Sequence, residues 1–155
     1  MAIPDDRDSS WRPSLETAAA GVASAIFGAR NFVLMGVSAA RIHQALPRAV
    51  PVAVVAAPRQ HRPVHLADHA DLLFIARDTE ALEANLEILE LGRALVTTPE
   101  QTVVDLAARP SLGGIPDEAH DAALTLLARC DEGRLWDLAR RQRAGAPLGR
   151  LLADR

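Results

Sequence analysis

The sequence predicts an α+β (or α/β) fold: a single domain in which a small central mixed sheet is packed by N-terminal helices and by a C-terminal run of three or four helices. Three observations lead there. A chain of 155 residues suits one domain with a sizeable core. β-Branched runs bounded by proline and glycine concentrate between residues 51 and 97, while helical spacing of apolar residues dominates before and after them. The balance of 49% hydrophobic and 24% charged residues is that of a folded chain rather than a disordered one.

Residues 1–13 read as a flexible lead-in and residues 14–155 as the domain. Pro13 opens an alanine-rich helix to about Gly28, with Leu15, Ala18, Ala19, Val22 and Ile26 on its apolar face. The short apolar run "NFVLMG" leads to Ser38, a residue type suited to cap a helix "AARIHQAL" ending at Pro47. "AVPVAVVAAP" predicts a strand over about 51–56, and "RPVHL" and "DLLFIAR" two more. The segment "ALEANLEILELGRALVTT" fits a helix through Leu82, Leu86 and Leu89 or a hairpin turning at Gly92; a strand and turn over 86–97 is preferred.

Beyond Thr98 the pattern is helical. Thr98 and Gln101 form a capping box, Pro99 occupies the first helical position and Glu100 complements the helix dipole. Val103, Val104, Leu106 and Ala107 supply the buried side, and Pro110 ends the helix. "SLGG" is a turn. Ala119, Ala122, Ala123, Leu126 and Leu127 then make an unbroken stripe after Pro116. Asp131 caps a further helix carrying Leu135, Trp136, Leu138 and Ala139, Gly145 breaks it, and Pro147 starts a last short helix.

Composition removes several chemistries. All 17 basic residues are arginines, and there is no tyrosine. A P-loop lysine, a Schiff-base lysine and nuclease sites that pair acids with lysine are therefore excluded. The single cysteine, Cys130, allows no disulfide framework and no cysteine-type zinc site. No apolar stretch reaches the ~18 residues of a spanning helix, and the polar start "MAIPDDRDSS" is not a secretory signal, so a cytoplasmic protein is expected. The formal net charge is −3, without an overall basic footprint for nucleic acid. Residues 78–105 are acidic, whereas the tail carries Arg134, Arg140, Arg141, Arg143, Arg150 and Arg155. Such asymmetry reads as solvated helix faces or as partner-binding surfaces.

Candidate sites each have a plain alternative. His61, His65 and His69 in "HRPVHLADH" are spaced by four, but Pro63 interrupts the helix that would align them on zinc. His43 reads as packed or capping, and a triad of Ser38, His43 and Asp105 lacks a nucleophile-elbow sequence. Gln101 and Asp105 share a helix face at i, i+4, as a catalytic pair or as local structure. Trp136 belongs to an apolar stripe and reads as core; Trp11 is expected to dock from the lead-in. With three Phe and two Trp, the aromatic interleaving of single-strand binders is missing. No catalytic residue, metal ligand or cofactor is assigned.

Three stretches in order, "GVSAARIHQAL", "VPVAVVAAPRQHRPVHL" and "ALVTTPEQTVVDLAARPSLGGIPDEAHDAALTLLA", resemble the C-terminal domain of the AbiEi family, antitoxins of bacterial toxin–antitoxin pairs. The similarity spans roughly residues 32–130, with Ser38, Thr97, Thr98, Pro99, Glu100, Thr102, Asp105 and Leu106 on the family pattern and Gln101 where arginine is common. The resemblance implies a cytoplasmic, non-enzymatic antitoxin that counteracts a cognate nucleotidyltransferase-like toxin and regulates transcription of their operon. Family members usually begin with a winged helix-turn-helix; the lead-in here is expected to supply none, and the helix after Pro13 is too alanine-rich to read bases. Arg134, Arg140, Arg141, Arg143 and Arg150 are then the expected partner surface. Two other classes stay open on the residues alone: a metal-dependent hydrolase or nuclease using Asp105 and Glu100 with the histidines, and a DNA-binding repressor.

Overall fold

The computed structural model describes residues 13–155, so the lead-in and Trp11 lie outside the described residues. Helix α1 (Leu15–Phe27) is followed by β1 (Val33–Leu34), α2 (Gly36–Ile42), β2 (Val52–Ala57), β3 (Val64–His65), β4 (Asp71–Ala76), β5 (Ala84–Leu89) and β6 (Gly92–Thr97). Four helices close the chain: α3 (Pro99–Ala108), α4 (Pro116–Leu127), α5 (Glu132–Arg141) and α6 (Gly145–Ala153). The fold is α+β, and the expected mixed sheet is present with six strands in the order β3-β4-β2-β1-β6-β5. β2 runs parallel to β4 and β1 parallel to β6, while β1/β2, β3/β4 and β5/β6 are antiparallel.

Strand β2, "VAVVAA", is apolar on both faces because both are covered. Ala53, Val55 and Ala57 meet Ala19, Ala23 and Phe27 of α1 on one side. Val54 and Ala56 face the core built with Val37 and Ala40 of α2 and with α3–α6 on the other. A three-layer arrangement follows, with α1 the helix that covers one face among the described residues. Among the described residues no helix is long and apolar enough to cross a membrane.

The β5/β6 hairpin settles the ambiguous segment in favour of strands, with Leu86 opposite Leu95 and Leu89 opposite Gly92. The stripe expected on α4 is the buried set that α4 carries. Other expectations need correction. The buried line of α1 is Ala19, Ala23 and Phe27, while Leu15, Val22 and Ile26 are only partly buried; small side chains let the helix sit close on the alanines of β2. Gly145 begins α6 rather than interrupting the chain before Pro147. Trp136 is half-buried against the larger core.

Ser38 is not a cap. Gly36, at φ 57, turns the chain straight from β1 into α2, so Ser38 lies inside the helix. Met35 N–H still donates to Val54 O (3.1 Å), but β1 then leaves the sheet. The Val54 N–H donates instead to Ser38 Oγ at 2.8 Å, so the buried serine completes a ladder rather than starting a helix.

Candidate functional site

The polar residues of "VTTPEQTVVDLAARP" gather at the junction of β6 and α3, almost all of them buried. Thr98 is the N-cap of α3: its hydroxyl accepts from Gln101 N–H (3.2 Å) and donates to Glu83 Oε1 (2.8 Å). The reciprocal half of the expected capping box is missing. Thr98 N–H donates to Glu83 O (3.0 Å), and Gln101 Oε1 accepts from Glu83 N–H (3.2 Å). The loop before β5 is thereby bound to the start of α3 through both residues. Thr102 Oγ1 donates to Thr98 O at 2.7 Å and lies 2.8 Å from Thr97 Oγ1.

Gln101 joins three elements. Its amide exchanges hydrogen bonds with that of Gln142, at the end of α5 (2.7 and 2.8 Å), and its Nε2 donates to Asp105 Oδ1 (3.0 Å). Asp105 Oδ1 also accepts from Arg77 Nη1 at 2.8 Å, an ion pair whose side chains are 4% and 16% exposed. Burial pushes the Asp105 carboxyl above its usual range, opposed by the charge and hydrogen bond of Arg77 and the hydrogen bond of Gln101. Its Oδ2 is buried without a hydrogen-bond partner among the described residues. The Gln101–Asp105 pair is therefore formed as the spacing predicts, but a guanidinium locks its carboxylate.

Glu100 is buried and pairs with Arg134 Nη1 at 3.1 Å, and Arg134 Nη2 also pairs with Glu83. Cys130 is half-buried, and its thiol donates to Leu126 O (3.2 Å). Burial, followed by the charge of Glu100, pushes this thiol up to about 12, so it is not a thiolate nucleophile at neutral pH.

The remaining candidates do not converge. His43 Nε2 donates to Thr97 O (2.7 Å) while Ser38 holds the Val54 amide, so the drawn triad with Asp105 does not exist. His61 packs against Phe74 and Phe27, with ring centroids 5.0 and 6.2 Å apart, whereas His65 Nδ1 lies 2.6 Å from Asp71 Oδ1. Among the described residues no three His, Cys, Asp or Glu side chains are placed to hold one metal ion. Of the tail arginines, Arg134 is engaged as above, Arg140 lies 3.4 Å from Asp137, and Arg140, Arg141, Arg143 and Arg150 are all exposed.

Sequence reasoning missed Arg77, Glu83 and Gln142, each remote in the chain from the residue it serves. Arg77 also lines an open groove with Asn31, Pro58, Asp78, Thr79 and Glu80, at the carboxyl ends of β2 and β4. An arginine directly after the apolar strand "DLLFIA" was the one local signal of a charge entering the interior.

No family model matches the chain, and no curated protein does. Among solved structures the chain is similar to an antigenic nucleotidyltransferase-like protein from Paracoccidioides brasiliensis. The two share 10% identity over 92% of this chain and 89% of that chain, with a TM-score of 0.57. At that identity the likeness shows a shared fold alone.

Proposed function

We propose that this chain is an antitoxin-like regulatory protein of the AbiEi type, which counteracts a nucleotidyltransferase-type toxin in the cytoplasm by contact and not by catalysis. One observation carries the reading. Thr97, Thr98, Glu100, Thr102 and Asp105, the polar residues on the family pattern, are buried and bonded within the domain, so they build it instead of acting on a substrate. Charged side chains reach solvent on many elements, and on the C-terminal helices those exposed include Arg140, Arg141, Arg143 and Arg150, which offer a basic surface to an acidic partner.

The fold shared with a nucleotidyltransferase-like protein does not by itself bring that chemistry. Metal-assisted phosphoryl transfer needs carboxylates gathered on one pocket, and central strand β2 carries "VAVVAA", with no acid. Growth of a host expressing a cognate nucleotidyltransferase-type toxin, with and without this chain, tests the proposal. Rescue is expected, and its loss when Arg140, Arg141 and Arg143 are changed to Glu with the fold intact would assign the surface. A folded, expressed chain that gives no rescue sinks the reading.

A further inference from the structure

The two edges of the sheet are finished differently. Edge strand β3 has two residues and follows Pro63, a short edge of the kind soluble proteins use to avoid pairing with other chains. Among the described residues the other edge is β5, which runs for six residues, Ala84–Leu89, with no proline and one charge, Glu87, and exposes Leu86 by 42% and Ile88 by 78%. Glu83 O already accepts from Thr98 N–H, so the odd-numbered residues of β5 bond inward to β6. Strand alternation then directs the N–H and C=O groups of Ala84, Leu86 and Ile88 outward and sets their side chains on one face.

We propose that β5 is the interface between two copies of this chain, paired antiparallel about a twofold axis at Leu86 to make one continuous sheet. Charge and polarity select that register. A twofold at Glu87 would set Glu87 directly opposite its own copy, in the close non-hydrogen-bonded position where like charges repel. A twofold at Ile88 would set Leu86 against Glu90. With the axis at Leu86, Leu86 meets Leu86, Ala84 meets Ile88, and Asn85 meets Glu87 on both sides of the axis. Each outward residue exchanges both backbone hydrogen bonds with its counterpart, and each Glu87 carboxylate gains an amide donor. The strand is thus complementary to itself in backbone, apolar face and charge, the requirement of an isologous contact.

Sedimentation velocity of the full chain over the micromolar range is the test. A dimer is expected, dissociated by Ile88→Lys. Asn85 is exposed, so its variants leave the fold intact: Asn85→Lys, opposite Glu87, should tighten the dimer several-fold, and Asn85→Glu should weaken it by a similar factor. In a Cys130→Ser background, Leu86→Cys should form an intermolecular disulfide on mild oxidation, because a hydrogen-bonded pair sits about 5.5 Å apart at Cα. Glu87→Cys should not. A monomer throughout the range, a dimer indifferent to Ile88→Lys and Asn85→Glu, or cross-linking at 87 in place of 86 overturns the proposal.

Discussion

Helices α3 and α4 pack against each other in the same core layer, yet of the two only α3 buries polar side chains as well as apolar ones. α4 buries Ala119, Ala122, Ala123, Leu126 and Leu127, and nothing polar. α3 buries Glu100, Gln101, Thr102 and Asp105 beside Val103, Val104 and Leu106. The apolar helix is held by packing that any volume-matched set could supply, whereas the polar one is held by bonds with named partners in fixed positions. An interior polar network of this kind limits which arrangement of strands and helices the chain can adopt.

The largest expected effect tests the apolar side. Leu126 is fully buried, and Leu126→Ala should destabilise the chain by about 3–4 kcal/mol, read as a lowered urea midpoint at unchanged slope. A loss near 1 kcal/mol would mean that the core around α4 collapses readily into the space.

Asp105→Ala should cost about 2–3 kcal/mol, because Arg77 and Gln101 each lose a partner in a place poorly reached by water. The pH dependence separates the two forces on this carboxyl. Burial lifts its folded-state value above 3.8, so the folded chain holds the proton more tightly than the unfolded chain does. That contribution is fully present below about pH 3.8 and is lost as pH rises through the folded-state value. The stability of the native chain relative to Asp105→Asn should therefore decline with rising pH in urea titrations. A relative stability that grows instead would show that Arg77 outweighs burial.

The same contrast explains what could be read from the sequence. α4 was legible residue by residue, since burial of an apolar stripe follows from a 3.6 period alone. Thr98 was legible as a cap because its partner, Gln101, lies within one turn. Arg77 and Gln142 were not, because they meet Asp105 and Gln101 across 28 and 41 residues of chain and no local pattern encodes such a meeting. Ser38 was misread for a related reason. Its position after an apolar run suits a cap, but the amide it serves belongs to β2, 16 residues away. The line of α1 was also misjudged, since counting large residues along a helix does not reveal that the facing strand offers alanines.

The smallest effect belongs to the cap itself. Thr98→Ala removes the acceptor for Gln101 N–H and the donor to Glu83, and should cost about 1 kcal/mol. Thr98→Ser keeps the hydroxyl and should recover nearly all of that stability. At α4, by contrast, the N-cap position is Ile115, whose side chain makes no capping bond, so that helix start rests on Pro116 and on packing. If Thr98→Ser falls as far as Thr98→Ala, the methyl group and not the hydroxyl holds this junction, and the start of α3 is packed much as α4 is. Recovery by serine would instead place the polar bonds at the head of the motif among the contacts that fix β5, β6 and α3 together.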